Sequence, residues 1–305
     1  MPRRRLGLAG LLAELLLGLL VVAVLAYVSA RAGLGNPFTG LGASQGLSPE
    51  EEKALKHIYG LDKPLGEGLL GFLAGLLRAD TGPSILYNKP AFSLALEALP
   101  WTLLGIGAGF LVAYATAAAW VTALGPRIPR AIRALSFIPG YFYAVLLLLS
   151  SWWLGWPPPL PGHGAEKLAA YILVVWLALW PRLLHGLAGI VEDPGLELGQ
   201  VVQALRAIGV PEHRVNAKLL RTVLAPYTAY ASTMLGMVLE RSVILEPLLG
   251  YTGLGLMLYR GVASADPVLA ATAFTLIGAV AYLVVVVGRF AERALDPRLA
   301  TGTGA

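Results

Sequence analysis

The chain has 305 residues, of which 57% are hydrophobic and 13% are charged, and its formal net charge is +5. Soluble domains usually carry about 25% charged residues, so this composition indicates that lipid solvates most of the chain. The small positive charge requires no nucleic-acid partner, and the absence of Cys excludes disulfides, a thiol nucleophile and Cys-ligated metals.

Six long apolar stretches are candidates for transmembrane helices, each of which needs about 20 mostly apolar residues. In chain order they are approximately 6–30, 101–124, 134–156, 168–190, 226–245 and 268–290. The first follows the basic pentapeptide MPRRR, but it is longer than the roughly 7–15 apolar residues of a cleaved signal peptide. We therefore expect an all-α integral membrane protein with six transmembrane helices.

Basic residues cluster in four segments of the chain. These segments precede the first stretch, separate the second from the third and the fourth from the fifth, and follow the sixth. Since cytoplasmic loops carry the excess of Lys and Arg, both termini are predicted to be cytoplasmic. The predicted division is a first transmembrane helix over 1–30, a helical extracytoplasmic segment over 31–99, and a five-helix core over 100–305 with a cytoplasmic loop over 191–221.

The extracytoplasmic segment contains two predicted helices. Ser48 and Glu51 have the spacing of a capping box at the start of the first helix, which ends near Gly60. The second helix is indicated by apolar residues at helical spacing, namely Leu69, Phe72, Leu73 and Leu76. This small helical cap is either a packed loop or a docking or gating element, and the sequence leaves both open.

The sequence lacks a convincing catalytic constellation. The four His are scattered without metal-ligand spacing, and the chain has no GxxxxGK[ST] loop for nucleotide phosphates. Ser150, Ser151 and His185 are weak candidates for a nucleophile and its base, since neither Ser has a Gly-x-Ser-x-Gly context. We expect no enzymatic activity and no cofactor. Acidic residues deep in the spans, which ion-coupled carriers use, are also scarce, with Glu14 in the inner half of the first stretch.

Three ionisable residues near the end of the fifth stretch are candidates for a polar translocation path. Glu240 and Arg241 lie 14 and 15 residues beyond Pro226, which is roughly 21–22 Å along a helix and in the outer third of the bilayer. Glu246 begins a Pro- and Gly-rich outer turn. These side chains either line the path or reach the outer interface. Arg182, in the fourth stretch, is expected to reach the inner surface.

The cytoplasmic loop after the fourth stretch combines two predicted helices with a hinge. Asp193 and Pro194 form a helix start signal, Gly209 ends that helix, and Pro211 starts the next one. One face of the first helix is apolar, with Leu198, Val201, Val202, Leu205 and Ile208 at helical spacing. Such an element either rests on lipid headgroups or docks in a groove of a partner.

The segment QALRAIG, residues 203–209, resembles the EAA motif of permease subunits of binding-protein-dependent ABC importers. Gln203 stands where the motif has Glu, Leu205 where it has its second Ala, and Gly209 at its Gly. Further segments are similar to the dipeptide, oligopeptide and nickel branch of these permeases: GNPF, YGLDKPLGEGLLGFLAGLLRADTGPSI, LEPLLGYTGLG, ADP at 265–267 and LDPR at 295–298. The resemblance covers essentially the whole chain.

This resemblance implies a permease subunit in the cytoplasmic membrane that forms half of a translocation path and is powered by other subunits. The implied partners are a second, similar permease, two cytoplasmic ATPases and an extracytoplasmic solute-binding protein. The implied ATPase-coupling residues are Gln203, Ala204, Leu205, Arg206, Ala207, Gly209 and Arg214. Peptides are the default substrate of this branch, with nickel chelates and oligosaccharides as alternatives. An ion-coupled carrier or channel and a non-transporting membrane scaffold are the competing hypotheses.

Overall fold

A computed structural model describes residues 8–34, 38, 48–153, 162–192 and 198–295. The all-α class predicted from the sequence is confirmed over these residues, which contain no β-strand. In chain order the helices are α1 Leu8–Gly33, α2 Pro49–Ile58, α3 Leu65–Leu77, α4 Ala91–Leu124, α5 Arg130–Leu135, α6 Gly140–Trp153, α7 Ala165–Val191, α8 Leu198–Ala207, α9 Glu212–Leu249, α10 Leu254–Ala263 and α11 Pro267–Leu295.

Four helical segments of the described chain are long and apolar enough to cross a membrane. They are Ala13–Gly33, Ala91–Leu124, Ala165–Val191 and Pro267–Gly288. They correspond to the first, second, fourth and sixth predicted stretches, so length and composition support four of the six expected spans.

The third and fifth predicted stretches differ from the structure. The third is interrupted between α5 and α6, because Pro139 has no N–H for a helical hydrogen bond and disfavours helix in the residue before it. The 14 residues of α6 extend only about 21 Å. The fifth stretch is the apolar part of α9, which starts 14 residues before Pro226 and continues through it.

Some predicted features lie outside the described residues. They are the N-terminal basic cluster at 3–5, most of the GNPF turn at 35–38, part of the Pro-rich loop at 157–167, the helix start signal Asp193–Pro194, and most of the terminal LDPR segment at 295–298.

The first of two compact units consists of the described residues up to Thr102 together with Ser242–Tyr282. Its core is built from α1, α3, α4, α10 and α11, with many buried Ala side chains that let helices approach closely. Tyr27 of α1 stacks on Phe72 of α3 with their ring centroids 5.1 Å apart. This contact ties the outer helix α3 to the first membrane helix.

The capping box predicted for the outer segment is confirmed. The backbone N–H of Glu51 donates to Ser48 Oγ at 3.3 Å, and the backbone N–H of Ser48 donates to Glu51 Oε2 at 2.8 Å. Two otherwise unpaired donors at the start of α2 are therefore satisfied. The hydrogen bond from the backbone N–H of Ser48 to the Glu51 carboxylate lowers the pKa of Glu51, and the Ser48 side chain lowers it further, since both favour the charged form.

The second unit consists of Leu103–Arg241 and the described residues from Leu283 onward. Aromatic side chains connect α4, α7 and α9 in it. Tyr114 of α4 stacks on Tyr227 of α9 with ring centroids 4.7 Å apart, and its hydroxyl lies 3.0 Å from Thr228 Oγ1. Trp176 of α7 donates from Nε1 to Thr116 of α4 at 3.1 Å. These contacts make the long helix α9 part of a packed bundle.

Candidate functional site

The loop that was predicted to be cytoplasmic contains a tight corner between α8 and α9. The N–H of Gly209 donates to the Arg206 carbonyl at 3.0 Å, and the N–H of Val210 donates to the Leu205 carbonyl at 3.0 Å. These two bonds form a Schellman motif, which needs a residue in the left-handed conformation, and Gly209 has φ of +77°. The predicted helix, hinge and second helix are therefore present.

A salt bridge crosses this corner. Arg206 on α8 donates from Nε to Glu212 Oε1 at 2.7 Å and from Nη2 to Oε2 at 3.0 Å, so the contact is a two-point fork. The hydrogen bonds from Arg206 lower the pKa of Glu212, and those to Glu212 raise the pKa of Arg206. Both side chains are exposed, so the pair adds little stability but restricts the angle between the two helices.

The surface of α8 is open to a partner. The side chains of Gln203, Ala204 and Ala207 are exposed, as is Gly209, while Leu205 is half-buried. Of the predicted apolar face only Leu198 is buried, and Ile208 at the tip is 76% exposed. An apolar side chain at the end of a small-residue helix is a suitable anchor for a groove.

Helix α9 connects this corner to the membrane part of the chain. Its first turns are anchored by the buried side chains of Val215, Asn216 and Leu219, and Asn216 donates from Nδ2 to the Thr122 carbonyl at 3.4 Å. Arg214, the third residue of α9, is exposed. The 38 residues of α9 correspond to about 57 Å of helix.

The fifth-stretch residues Glu240 and Arg241 have different surroundings in the structure. The side chain of Glu240 is exposed, and that of Arg241 is half-buried near Gly140 at the start of α6. Their separation follows from the helix, since adjacent side chains point about 100° apart. Their contribution to a translocation path stays a prediction.

Arg182 was expected to reach the inner membrane surface, but in the structure its guanidinium is hydrogen-bonded to two backbone carbonyls. It donates from Nη2 to the Ile138 carbonyl at 2.6 Å and from Nη1 to the Ala178 carbonyl. The Ile138 carbonyl belongs to the break between α5 and α6, which Pro139 creates. Arg182 therefore braces this interruption from α7. Sequence reasoning missed the bond because 44 residues separate the donor from the acceptor.

Glu246, the third path candidate, is completely buried within the first unit. Its carboxyl accepts from Thr102 Oγ1 at 2.7 Å and from the N–H of Leu256 at 3.1 Å. Thr102 Oγ1 in turn accepts from the N–H of Leu254 at 2.8 Å. Helix α10 starts after Gly253, which has no side chain to cap it, so Thr102 and Glu246 supply the acceptors. This geometry favours an anchoring role, and a role in the path stays a prediction.

A second buried acid in the same unit was noticed in the sequence only as part of the ADP segment. Asp266 accepts from Ser84 Oγ at 2.6 Å, from the N–H of Leu86 at 3.1 Å and from the N–H of Leu269 at 3.0 Å. It precedes α11, whose first residue is Pro267, so the order Asp then Pro was a readable N-cap signal. Its bonds to Ser84 and Leu86 connect the segment between α3 and α4 to the start of α11.

No family model matches this chain. Its sequence is nevertheless similar to those of several known proteins. The chain is 25% identical over 301 residues to the oligopeptide transport system permease protein OppB of Haemophilus influenzae, covering 94% of this chain and 97% of that protein. It is 26% identical over 329 residues to the dipeptide transport system permease protein DppB of Lactococcus lactis, covering 97% of each.

A third relative is the glutathione transport system permease protein GsiC of Pectobacterium atrosepticum. It is 28% identical over 264 residues, which cover 81% of this chain and 83% of the relative. These similarities extend over most of every chain compared. Together with the long apolar helices they identify a multi-pass protein of the cell membrane. The chain is therefore similar over most of its length to permease proteins of oligopeptide, dipeptide and glutathione transport systems.

Proposed function

We propose that this chain forms half of the translocation path of an ABC importer for small peptides. The named functions of the relatives support the class, since they are transport system permeases for oligopeptides, dipeptides and glutathione. In this proposal the chain itself hydrolyses no ATP. It works with a second permease, two ATPase subunits and an extracytoplasmic solute-binding protein.

The proposed membrane topology keeps six spans and cytoplasmic termini. Four spans are the long apolar helices, the fifth is the apolar part of α9, and the third is the broken pair α5 and α6. The distribution of Arg and Lys supports the orientation. The proposed division is 1–30, 31–99 and 100–305, with the coupling loop at 191–221 and the binding protein docking on the 31–99 segment.

The observation that carries the proposal is the exposed corner at Gly209. Helix α8 offers an apolar tip and small residues, and the Schellman corner at Gly209, together with the salt bridge from Arg206 to Glu212, links it to the start of α9. An ATPase groove that seats α8 would therefore move α9 as well. Alternating access requires such a connection between nucleotide-driven motion and the packed helices. The proposed coupling residues are Gln203, Ala204, Leu205, Arg206, Ala207, Gly209 and Arg214.

The test is a pair of matched substitutions in α8 and its corner. A Cβ added at Gly199 or at Gly209 meets nothing within 4 Å, but only Gly209 has positive φ. We expect Gly209→Glu to reduce ATP-dependent peptide uptake by the assembled importer at least about tenfold while the chain still inserts and assembles. Gly199→Glu serves as the control and is expected to transport. Normal uptake by Gly209→Glu would refute the coupling role.

A further inference from the structure

Two arginines of the second unit lie together at the start of α6. Arg182 is on α7 and Arg241 is on α9. A Cβ added at Gly140 would lie 3.7 Å from Arg241 Nη1 and 3.1 Å from Ala178 Cβ. The carbonyl of that same Ala178 accepts a hydrogen bond from Arg182 Nη1. Both guanidinium groups therefore border one small region.

This region lacks a compensating acid among the described residues. The ion pairs of the described chain involve neither Arg182 nor Arg241. The hydroxyl of Tyr230 on α9 donates to the carbonyl of Arg182 at 3.2 Å. Glu240 is exposed, and its side chain leaves α9 about 100° away from that of Arg241. The fold thus brings two positive charges to one region, with no acid paired to either of them among the residues that the structure describes.

The two arginines are not equally occupied. Arg182 already donates to the Ala178 and Ile138 carbonyls, so it is fixed in position. No described hydrogen bond uses the guanidinium of Arg241. Its side chain is half-buried, so part of it remains accessible. Its planar fork of N–H donors matches the two oxygens of a carboxylate. Bringing an anion to the pair would relieve the repulsion and satisfy these donors.

We propose that Arg182 and Arg241 bind the free carboxylate of a peptide as it passes through the membrane. The proposal rests on the proposed function in peptide import and adds a recognition element to it. Arg241 makes the direct two-point contact, and Arg182 is the fixed second charge that also braces the α5–α6 break. Oligopeptides, dipeptides and glutathione, which the relatives' names give as substrates, all carry a free carboxylate.

The direct test measures binding of trialanine and of trialanine amide to the assembled importer in nanodiscs without the solute-binding protein. The amide removes the carboxylate charge and changes little else. We expect wild type to bind the free acid about tenfold or more tightly, which is the size of one charge-assisted hydrogen bond. We expect Arg241→Gln to bind both peptides equally, and raised salt to weaken only the wild-type preference for the acid.

Two further variants control the experiment. Arg133→Gln removes an exposed charge elsewhere in the same unit and is expected to keep the acid preference. Arg241→Lys keeps the charge but loses the planar fork, so it is expected to retain part of the preference. It also tests the site if Arg241→Gln fails to fold. Arg182→Gln is less informative alone, because it removes the brace on Ile138 as well.

Each outcome has a distinct meaning. Equal wild-type binding of acid and amide, or a preference that survives in Arg241→Gln, overturns the carboxylate site. Binding of inorganic phosphate that depends on Arg241 but does not compete with trialanine overturns it in favour of a simple anion site. Failure of the chain to assemble with ATPases, or absence of ATP-dependent peptide uptake, instead contradicts the proposed function itself.

Discussion

The two units of this chain hold their internal charges in opposite ways. In the first unit the carboxyls of Glu246 and Asp266 are completely buried, and helix N-termini and hydroxyls donate to both of them. In the second unit Arg182 and Arg241 are half-buried, and only Arg182 is used by the described hydrogen bonds. A fully satisfied buried group specifies one arrangement, because moving it leaves unpaired donors. An unsatisfied, accessible charge is free to take a ligand. The comparison therefore distinguishes two acids with a structural role, Glu246 and Asp266, from a cation, Arg241, that is available to a ligand.

The largest predicted effect tests the structural side of this comparison at Glu246. Replacing Glu246 with Ala removes the acceptor for Thr102 and Leu256 and leaves a buried void, so we expect destabilisation by about 3 kcal/mol. Glu240→Ala, on the same helix but exposed, is the matched control and should change stability by less than about 0.5 kcal/mol. Thermal unfolding in nanodiscs measures both. Similar losses at the two positions would remove the distinction between anchored and exposed acids on α9.

Asp266 is predicted to show the next largest effect. Asp266→Ala removes an N-cap and a buried acceptor for Ser84, which should cost about 2 kcal/mol. Asp266→Asn keeps one oxygen acceptor and should lose less. The same unfolding assay ranks the two variants, and hydrogen exchange of the Leu86 and Leu269 amides reports the loss locally. If Asp266→Asn proves more damaging than Asp266→Ala, the cap geometry does not account for the stability.

The corner at Gly209 is predicted to respond more weakly. Gly209→Ala places a Cβ on a residue with φ of +77°, which should cost about 1 kcal/mol. Gly199→Ala, within α8, should be neutral or slightly stabilising, since Ala favours helix. Unfolding midpoints and protection of the Val210 amide distinguish the two. An equal response at both positions would show that the Schellman corner is not maintained in the folded chain.

The next prediction concerns Arg241 in the second unit. A charged side chain that no described hydrogen bond uses should contribute little to the free energy of unfolding. We expect Arg241→Gln to unfold within about 0.5 kcal/mol of wild type, or to be more stable, since the substitution removes repulsion with Arg182. The measurement is the unfolding midpoint without ligand. A large destabilisation would mean that Arg241 is a structural residue like Glu246.

The smallest predicted effect concerns the exposed fork between Arg206 and Glu212. Its hydrogen bonds lower the pKa of Glu212, so its contribution is present above the ordinary value of 4.5 and is lost as pH falls through the lower folded value. We expect faster hydrogen exchange at the corner, relative to the intrinsic rate, below that pH and in high salt. Arg206→Gln should abolish this pH response. A response that persists in that variant would assign it to another group.

Much of the fold was readable because it depends on local chemistry. The Ser48 and Glu51 capping box and the corner at Gly209 are contacts between residues only a few positions apart. The break before α6 also had a local signal in Pro139, which the average hydrophobicity of the third stretch concealed. The sequence predicted a helix after Pro211 and an apolar span from Pro226 as separate features, and the structure joins them in the single helix α9.

The candidate sites were readable only in part. Glu246 and Arg241 stood out as ionisable residues near the end of an apolar stretch, but nothing in the sequence separates their surroundings. Thr102 and Glu246 are 144 residues apart, and Arg182 and Ile138 are 44 apart. Such pairs form where helices pack, so neither periodicity nor spacing along the chain identifies them.

By itself, the sequence determined that this is an all-α membrane protein in which two helices meet at an exposed corner formed by Gly209. Composition, helical period and turn chemistry act through neighbouring residues, and these are all visible along the chain. Only the tertiary structure decided that Glu246 and Asp266 are buried and hydrogen-bonded, while Arg182 and Arg241 border one region and form no ion pair within the described part of the chain. The energy of a charge depends on the groups packed around it, and folding brings those groups from distant parts of the chain.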